Sequence, residues 1–525
     1  MKHKIIPMIV CLMLCVALMP AAAFADSAKT TPAAPPGIWT DHAAEGFAGG
    51  SGTAEDPYLI ETPEQLAKLA ADINSGVGDK THSKEHFQLT ADLDLSAHRW
   101  IPIGTSITTP SFRPFFGYFN GNGKIITGMY VDESESGKNA GLFGNITGIL
   151  LENITIKNGY VKASTENGND NDGAGILIGS ATVSGGQNLG TKVQNCSVNG
   201  IVENVNGRAG GLAGYNAYST YKNCTADVTI NGAGTAGGFV GEDFSGKYKG
   251  CVAKGKVNGA WSVGGFAGHI RTNVQISNCV AFSDVESKVD GVETKTGGFA
   301  GTVDGTNGKN TISNSHAAGT ITMASSDYKA GGFAAVLSGR NSFNSCSFDV
   351  EKNAGLKAKG GKEAEAADIE GVSAGSTQAV KANICRDYDY NHKGTLVEGK
   401  DATCTEDGWK AYYKCEACGS LYANDDLTEM IDNPEVIKAT GHEFGEWKVT
   451  KEATATEKGE KERVCSRCQL VEKADIPATG TADPAKSNAD KSAETGDASN
   501  PALYGLLALL AAGGAAGTLY RKRKA

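Results

Sequence analysis

Ala140-Gly-Leu-Phe-Gly144, Gly175-Ile-Leu-Ile-Gly179, Gly210-Gly-Leu-Ala-Gly214, Gly237-Gly-Phe-Val-Gly241, Gly264-Gly-Phe-Ala-Gly268, Gly297-Gly-Phe-Ala-Gly301 and Gly331-Gly-Phe-Ala-Ala335 are seven renderings of one phrase. Their last residues lie 35, 35, 27, 27, 33 and 34 positions apart. Each is followed by a second strand-like phrase, such as Asn195-Cys-Ser-Val, Asn223-Cys-Thr-Ala, Gly250-Cys-Val-Ala or Asn278-Cys-Val-Ala. Repetition at this period marks a stacked architecture. Two short strands and their turns form a rung that cannot bury its own apolar side, so rungs must stack. Parallel strands about 4.8 Å apart would set Leu212, Phe239, Phe266, Phe299 and Phe333 in one inward column. Glycines are expected at corners where a side chain would clash or φ must be positive. The expected fold is all-β, a right-handed parallel β-helix. A globular α/β fold would need helical patterns of about 10–15 residues between strands, and the repeats contain none.

Composition agrees. Of 525 residues 69 are glycine, close to twice the usual ~7%. A net charge of −10 gives no electrostatic support for a phosphate-binding surface, which argues against a nucleic-acid partner.

Ahead of the repeats, Thr62 reads as an N-cap, Pro63 suits a first helical turn and Gln65 completes a capping box. Leu66, Leu69, Ala70 and Ile73 then form one apolar stripe before Gly76, a short helix suited to closing the open end of a solenoid. Phe87–Leu95, Trp100–Gly104 and Phe116–Val131 supply the first rungs. The repeats resemble the GLUG motif of bacterial surface proteins, and residues 47–139 look like the segment that often precedes it. The resemblance implies an adhesin-like surface protein. GLUG repeats also occur beside the catalytic domain of immunoglobulin A metallopeptidases, without carrying that chemistry.

Both ends of the chain read as addresses. Lys2 and Lys4 precede an apolar run, and Ala23-Phe-Ala25 has the form of a signal-peptidase site, so cleavage is expected between Ala25 and Asp26. Residues 501–520 are apolar and uncharged, long enough for a single membrane span, and Arg521, Lys522, Arg523 and Lys524 follow. With Ser492-Ala-Glu-Thr-Gly496 just before, this order resembles a Gram-positive sortase sorting signal, although Ser-Ala stands where that family has Leu-Pro. The resemblance implies sortase and cell-wall peptidoglycan as partners, with cleavage between Thr495 and Gly496. A plain single-span anchor is the alternative.

Eleven of the 13 cysteines lie beyond the signal peptide. Cys196, Cys224, Cys251, Cys279 and Cys346 share one repeat position, with Ser315 in the same place. Stacked equivalents point the same way about 4.8 Å apart, whereas disulfide Cβ atoms prefer about 3.8 Å, so reduced, buried thiols are expected there. In the C-terminal region, Cys415-Glu-Ala-Cys418 and Cys465-Ser-Arg-Cys468 sit in two related copies, which look like a small β-rich repeat found near wall anchors of bacterial surface proteins. They could form a four-thiolate structural zinc site, with His392, Cys404 and His442 as alternate ligands. Disulfides compete in an oxidising compartment.

The domain order read from these features is signal peptide 1–25, linker 26–46, capping segment and first rungs 47–139, and repeats 140–350. A linker at 351–384, Cys-containing modules at 385–440 and 441–480, and a spacer at 481–500 carrying the sorting motif at 492–496 come next. Residues 501–525 are the span and tail.

Signals for catalysis are weak. His82-Ser-Lys-Glu-His86 matches the H-x-x-E-H zinc-peptidase pattern, but it enters a strand where that chemistry needs a helix. No catalytic residues or catalytic cofactor are assigned. The expected function is a cell-surface protein presenting a β-solenoid for adhesion to an extracellular glycan or protein, and not an enzyme. The rival is a polysaccharide lyase or glycoside hydrolase, which would need acidic and basic side chains converging on one face.

Overall fold

The computed structural model describes residues 31–480 apart from 76–81, 83, 105–112, 148–149, 165–171, 184–189, 233, 288–293, 324–328, 361–368, 378, 381–393, 416–419, 428 and 432. Asp26 and the cleavage site at Ala25, Thr495 and Gly496, the apolar span, Cys418 and His392 all lie outside these residues. Among the described residues no helix is long and apolar enough to cross a membrane.

The chain divides into two compact units, residues 1–400 with 409–436, and residues 401–408 with 437–525. The first holds a parallel β-solenoid of about nine turns, as the repeats require. One turn illustrates the rest. Thr235–Gly237 leads through a bend to Val240–Phe244; then Lys247–Lys249, and after another corner Val252–Gly259, which returns the chain to Ser262–Gly264 directly above the start.

The inward column is as expected. Phe239, Phe266, Phe299 and Phe333 are fully buried, with successive ring centroids 4.9, 4.9 and 4.8 Å apart. Leu212 continues the column below. The glycines of the phrase are fixed by crowding rather than by positive φ. A Cβ on Gly264 would stand 2.0 Å from the carbonyl oxygen of Ala267, and one on Gly265 2.2 Å from that of Gly298.

Positive φ belongs to the second phrase. Asn153, Asn195, Asn223, Asn278 and Asn314 all adopt it, between 44° and 54°, in the left-handed region that asparagine tolerates best among residues with a Cβ. Their side chains also form an axial amide ladder, Asn195 donating to Asn153 at 3.2 Å and Asn314 to Asn278 at 3.2 Å. The corner turns the next residue inward, which places Cys196, Cys224, Cys251, Cys279, Ser315 and Cys346 in one buried column. All five thiols are free. Each donates to the carbonyl two residues before it, as Cys196 does to Gln194 at 3.3 Å, and Ser315 does the same at 2.8 Å.

Helix Pro63–Ser75 forms with the anticipated capping box: the Gln65 side chain accepts from the Glu61 and Thr62 N–H groups at 2.7 and 3.3 Å, and the Gln65 N–H donates to Thr62 Oγ1 at 3.4 Å. Leu66, Leu69, Ala70 and Ile73 enter the same core as the first rungs.

The 351–384 linker needs correction. Its Ala, Gly, Lys and Glu composition conceals another turn, in which Ala358 is fully buried and Val372–Gly375 pairs in parallel with Cys346–Asp349. The module boundary at 440 also shifts, because residues 401–408 belong with the second module. That module is built on an antiparallel sheet of Lys448–Lys451, Gly459–Val464 and Val471–Ile476.

Candidate functional sites

The second unit gathers Cys404, His442, Cys465 and Cys468, with one donor atom from each lying within 4.8 Å of all the others. Backbone bonds build the cluster. The carbonyls of Thr403 and Cys404 accept from the N–H groups of Thr440 and Gly441 at 3.0 and 3.1 Å, which brings Cys404 beside His442. After strand Gly459–Val464, Cys465 to Cys468 form a turn closed by Gln469 N–H to Cys465 O at 3.0 Å and Cys465 N–H to Leu470 O at 2.9 Å. The Ser466 N–H donates to the Glu443 carbonyl at 2.8 Å and ties that turn to the histidine segment.

Cys404 Sγ and Cys465 Sγ are 3.9 Å apart, and Cys468 Sγ lies 3.3 Å from His442 Nδ1. A tetrahedral ion with zinc–sulfur bonds of about 2.3 Å separates its sulfurs by about 3.8 Å. The sulfur spacing suits that geometry and is far beyond a disulfide bond of about 2.05 Å. Burial would raise the Cys465 thiol, but the Cys468 backbone and the His442 side chain outweigh it and bring the thiol down to about 5. Burial and the neighbouring Cys468 and Cys465 sulfurs push Cys404 up to about 11.

Of the four cysteines expected as ligands, Cys465 and Cys468 lie in this group, together with Cys404 and His442, which the sequence offered as alternates. Cys415 packs with Tyr422 and Leu427, and Cys418 lies outside the described residues. A Cys-x-x-Cys pair is visible in sequence because its spacing is local, whereas Cys404 reaches the site only through the pairing of Thr403 with Thr440.

On the solenoid, Glu242 is buried and receives Arg208 Nε at 2.7 Å and an Arg271 guanidinium nitrogen at 3.0 Å. Burial opposes its ionisation, but the two arginines outweigh that and hold its carboxyl below the usual range. This acidic and basic convergence is closed on itself, since the only carboxylate of the trio is committed to both guanidinium groups. Neighbouring Asp243 lies fully inside, accepting from Asn216 Nδ2, from Tyr248 Oη at 2.8 Å and from Gly246 N–H at 3.3 Å. Burial raises its carboxyl to about 7.

His82 and His86 do not share a ligand position. The His82 imidazole bonds to Glu85 and to Asp72, the latter at 3.1 Å, whereas His86 stacks on Tyr118 with centroids 4.1 Å apart. One side of the solenoid is formed by Lys192–Gln194, Thr220–Lys222, Lys247–Lys249 and Gln275–Ser277, and it holds an open groove of about 370 Å³.

Comparison with known proteins agrees with the repeat reading. Residues 205–231 match the family model described as the GLUG motif. A protein of Evansella cellulosilytica named "Putative Gly-rich membrane protein" is 35% identical over 159 residues, covering 29% of this chain and 15% of that protein. Halomucin of Haloquadratum walsbyi is 34% identical over 171 residues, covering 31% of this chain and 2% of that protein. The chain thus spans less than a sixth of the length of these relatives. A crystal structure described as a putative immunoglobulin A1 protease from Bacteroides ovatus superposes with a TM-score of 0.43 at 21% identity, over 66% of this chain and 92% of that one.

Proposed function

We propose that this chain is a bacterial surface protein whose β-solenoid holds an extracellular glycan or protein on its outer side, carried on a metal-stapled C-terminal module. The observation that carries the reading is the outer surface itself. It is open around the groove at Lys222 and Lys249, while the acidic and basic trio that could have marked a hydrolase or lyase is spent on two ion pairs, the buried Glu242 holding both Arg208 and Arg271. The surface location is supported by the relatives' names and by the signal-peptide pattern ending at Ala25. Zinc suits three sulfurs and one imidazole at Cys404, His442, Cys465 and Cys468, where it would cross-link a module with little core of its own.

Anchoring through Thr495 and Gly496 to the cell wall completes the proposal, with sortase as the processing partner. The test is to display the full chain on cells, apply a glycan and matrix-protein array, and then treat the cells with wall-digesting enzyme or with detergent. Selective binding and release by the enzyme alone are expected. Turnover of a polysaccharide by the purified chain would replace the binding reading, and full extraction by detergent would replace the wall anchor.

A further inference from the structure

The third segment of each turn has an unusual charge distribution. Parallel register sets Lys192, Thr220, Lys247, Gln275 and Thr311 in one axial column, and Gln194, Lys222, Lys249, Ser277 and Ser313 in another. The residues between, among them Tyr221, Tyr248 and Ile276, point into the core. Over these five strands the outward positions carry four lysines, several hydroxyls and amides, and no carboxylate, in a protein of net charge −10; Glu152 on the preceding strand ends the second column and accepts from Gln194 at 2.7 Å.

Two lysines elsewhere on the solenoid are paired, Lys256 with Glu286 at 2.6 Å and Lys162 with Asp132 at 3.8 Å. By contrast, Lys192, Lys222, Lys247 and Lys249 form no ion pair with any described residue. The groove of about 370 Å³ runs between Lys222, Lys247 and Lys249 and is bordered by Gln275, Ser277 and Thr311.

We infer that this side binds a linear acidic polysaccharide lying along the solenoid axis, with Lys222, Lys247 and Lys249 facing its anionic groups. The inference rests on the surface-binding reading above and names the ligand class. Successive rungs repeat at about 4.8 Å, so Lys222 and Lys249 stand one strand spacing apart along the axis, with Lys247 on the same strand as Lys249, a compact cationic cluster that the carboxylates or sulfates of a polymer can meet. Thr220, Gln275, Ser277 and Thr311 offer donors and acceptors to sugar hydroxyls at the same spacing. The five strands present no outward arginine to clamp phosphate in bidentate fashion, and the negative charge elsewhere opposes a broad polyanion such as duplex DNA.

The experiment uses the full exported chain with three probes: polygalacturonate, its methyl-esterified neutral form, and duplex DNA. Polygalacturonate should bind at low salt, weaken as salt rises, and lose at least about tenfold in affinity in the variant carrying Lys222→Glu, Lys247→Glu and Lys249→Glu. Three surface charge contacts of about 0.5 kcal/mol each reach that factor. The corresponding Lys→Gln variant, with an unchanged melting temperature, should show a smaller loss and separates charge from folding. Equal affinity for acid and ester, equal affinity for duplex DNA, or no effect of the triple variant overturns the assignment. If array ligands still bind when the triple variant changes nothing, this side loses its role while the general reading stands. If the full chain binds no array ligand, both fall.

Discussion

Phe299 and Phe333 stack with ring centroids 4.8 Å apart and planes within 1° of parallel, one turn of the solenoid separating them. Their spacing is that of the strands carrying them, since Ala300 and Ala334 are register partners immediately beyond. Rings at this distance attract beyond their area burial, in the range of about 4.5–7 Å between centroids.

Phe299→Ala should therefore remove a ring from the middle of the column and cost about 3–5 kcal/mol, read as a lower denaturant midpoint for the solenoid transition. Phe299→Leu should cost less than the alanine change, because Leu212 already serves in the same column. Equal losses in the two variants would show that the column tolerates no shape other than a ring.

Asp243 predicts a specific pH dependence. Its folded carboxyl titrates near 7, above the 3.8 of a free side chain, because burial opposes its charge. Between those values the folded chain keeps a proton that the unfolded chain has released. The contribution is thus full below about pH 4 and is lost as pH rises toward 7, by an amount on the order of a few kcal/mol. Asp243→Asn should flatten this part of the urea midpoint profile relative to the parent. Glu242, Tyr221 and Tyr248 are the ionisable neighbours that remain. An unchanged profile would mean that Asp243 is ionised throughout.

The cysteine column should be chemically quiet. Burial pushes the Cys346 thiol up to about 11 and raises Cys196 and Cys251 as well, whereas at Cys224 burial is outweighed by the Cys196 and Cys251 side chains on either side, which lower it; full burial keeps reagent from all five, whichever thiol of the column is the more acidic. Cys196, Cys224, Cys251, Cys279 and Cys346 should resist labelling in the native chain and all react after denaturation, as counted by mass spectrometry of the labelled peptides. Rapid native labelling of any of them would show an open column.

Metal content separates the two ligand sets. The purified full chain should hold about one zinc, which Cys404→Ser or His442→Ala should reduce and Cys415→Ser should leave in place. Chelation should lower the melting temperature of the second unit. Retention of zinc in Cys404→Ser with loss in Cys415→Ser would restore the paired Cys-x-x-Cys site.

The solenoid was readable because its rules are local. Each Gly-Gly-Phe phrase states a close approach and an inward ring, and the capping box from Thr62 to Gln65 lies within four residues. Three features were not readable. Val372–Gly375 forms an extra strand from a segment whose composition resembles a linker, because the parent turn at Cys346–Asp349 already supplies the template. Cys404 and His442 were readable only as alternate ligands, not as neighbours, because they meet through the backbone pairing of Thr403 with Thr440. The lysine side is visible only after register aligns Lys222 with Lys249, since single lysines beside Tyr221 and Tyr248 look like ordinary alternation.

The coincidence of Gly237 with Gly264 in neighbouring turns has a consequence for how such a head changes size. Because each turn touches only those directly above and below, excising residues 238–264 would join Gly237 to Gly265 and leave both flanking surfaces complementary. The head would then be shorter by a single strand spacing, with every remaining pair still in step. The solenoid's length is a counted quantity, and duplication or loss of one phrase resets the ruler by one division without redesigning any part of it.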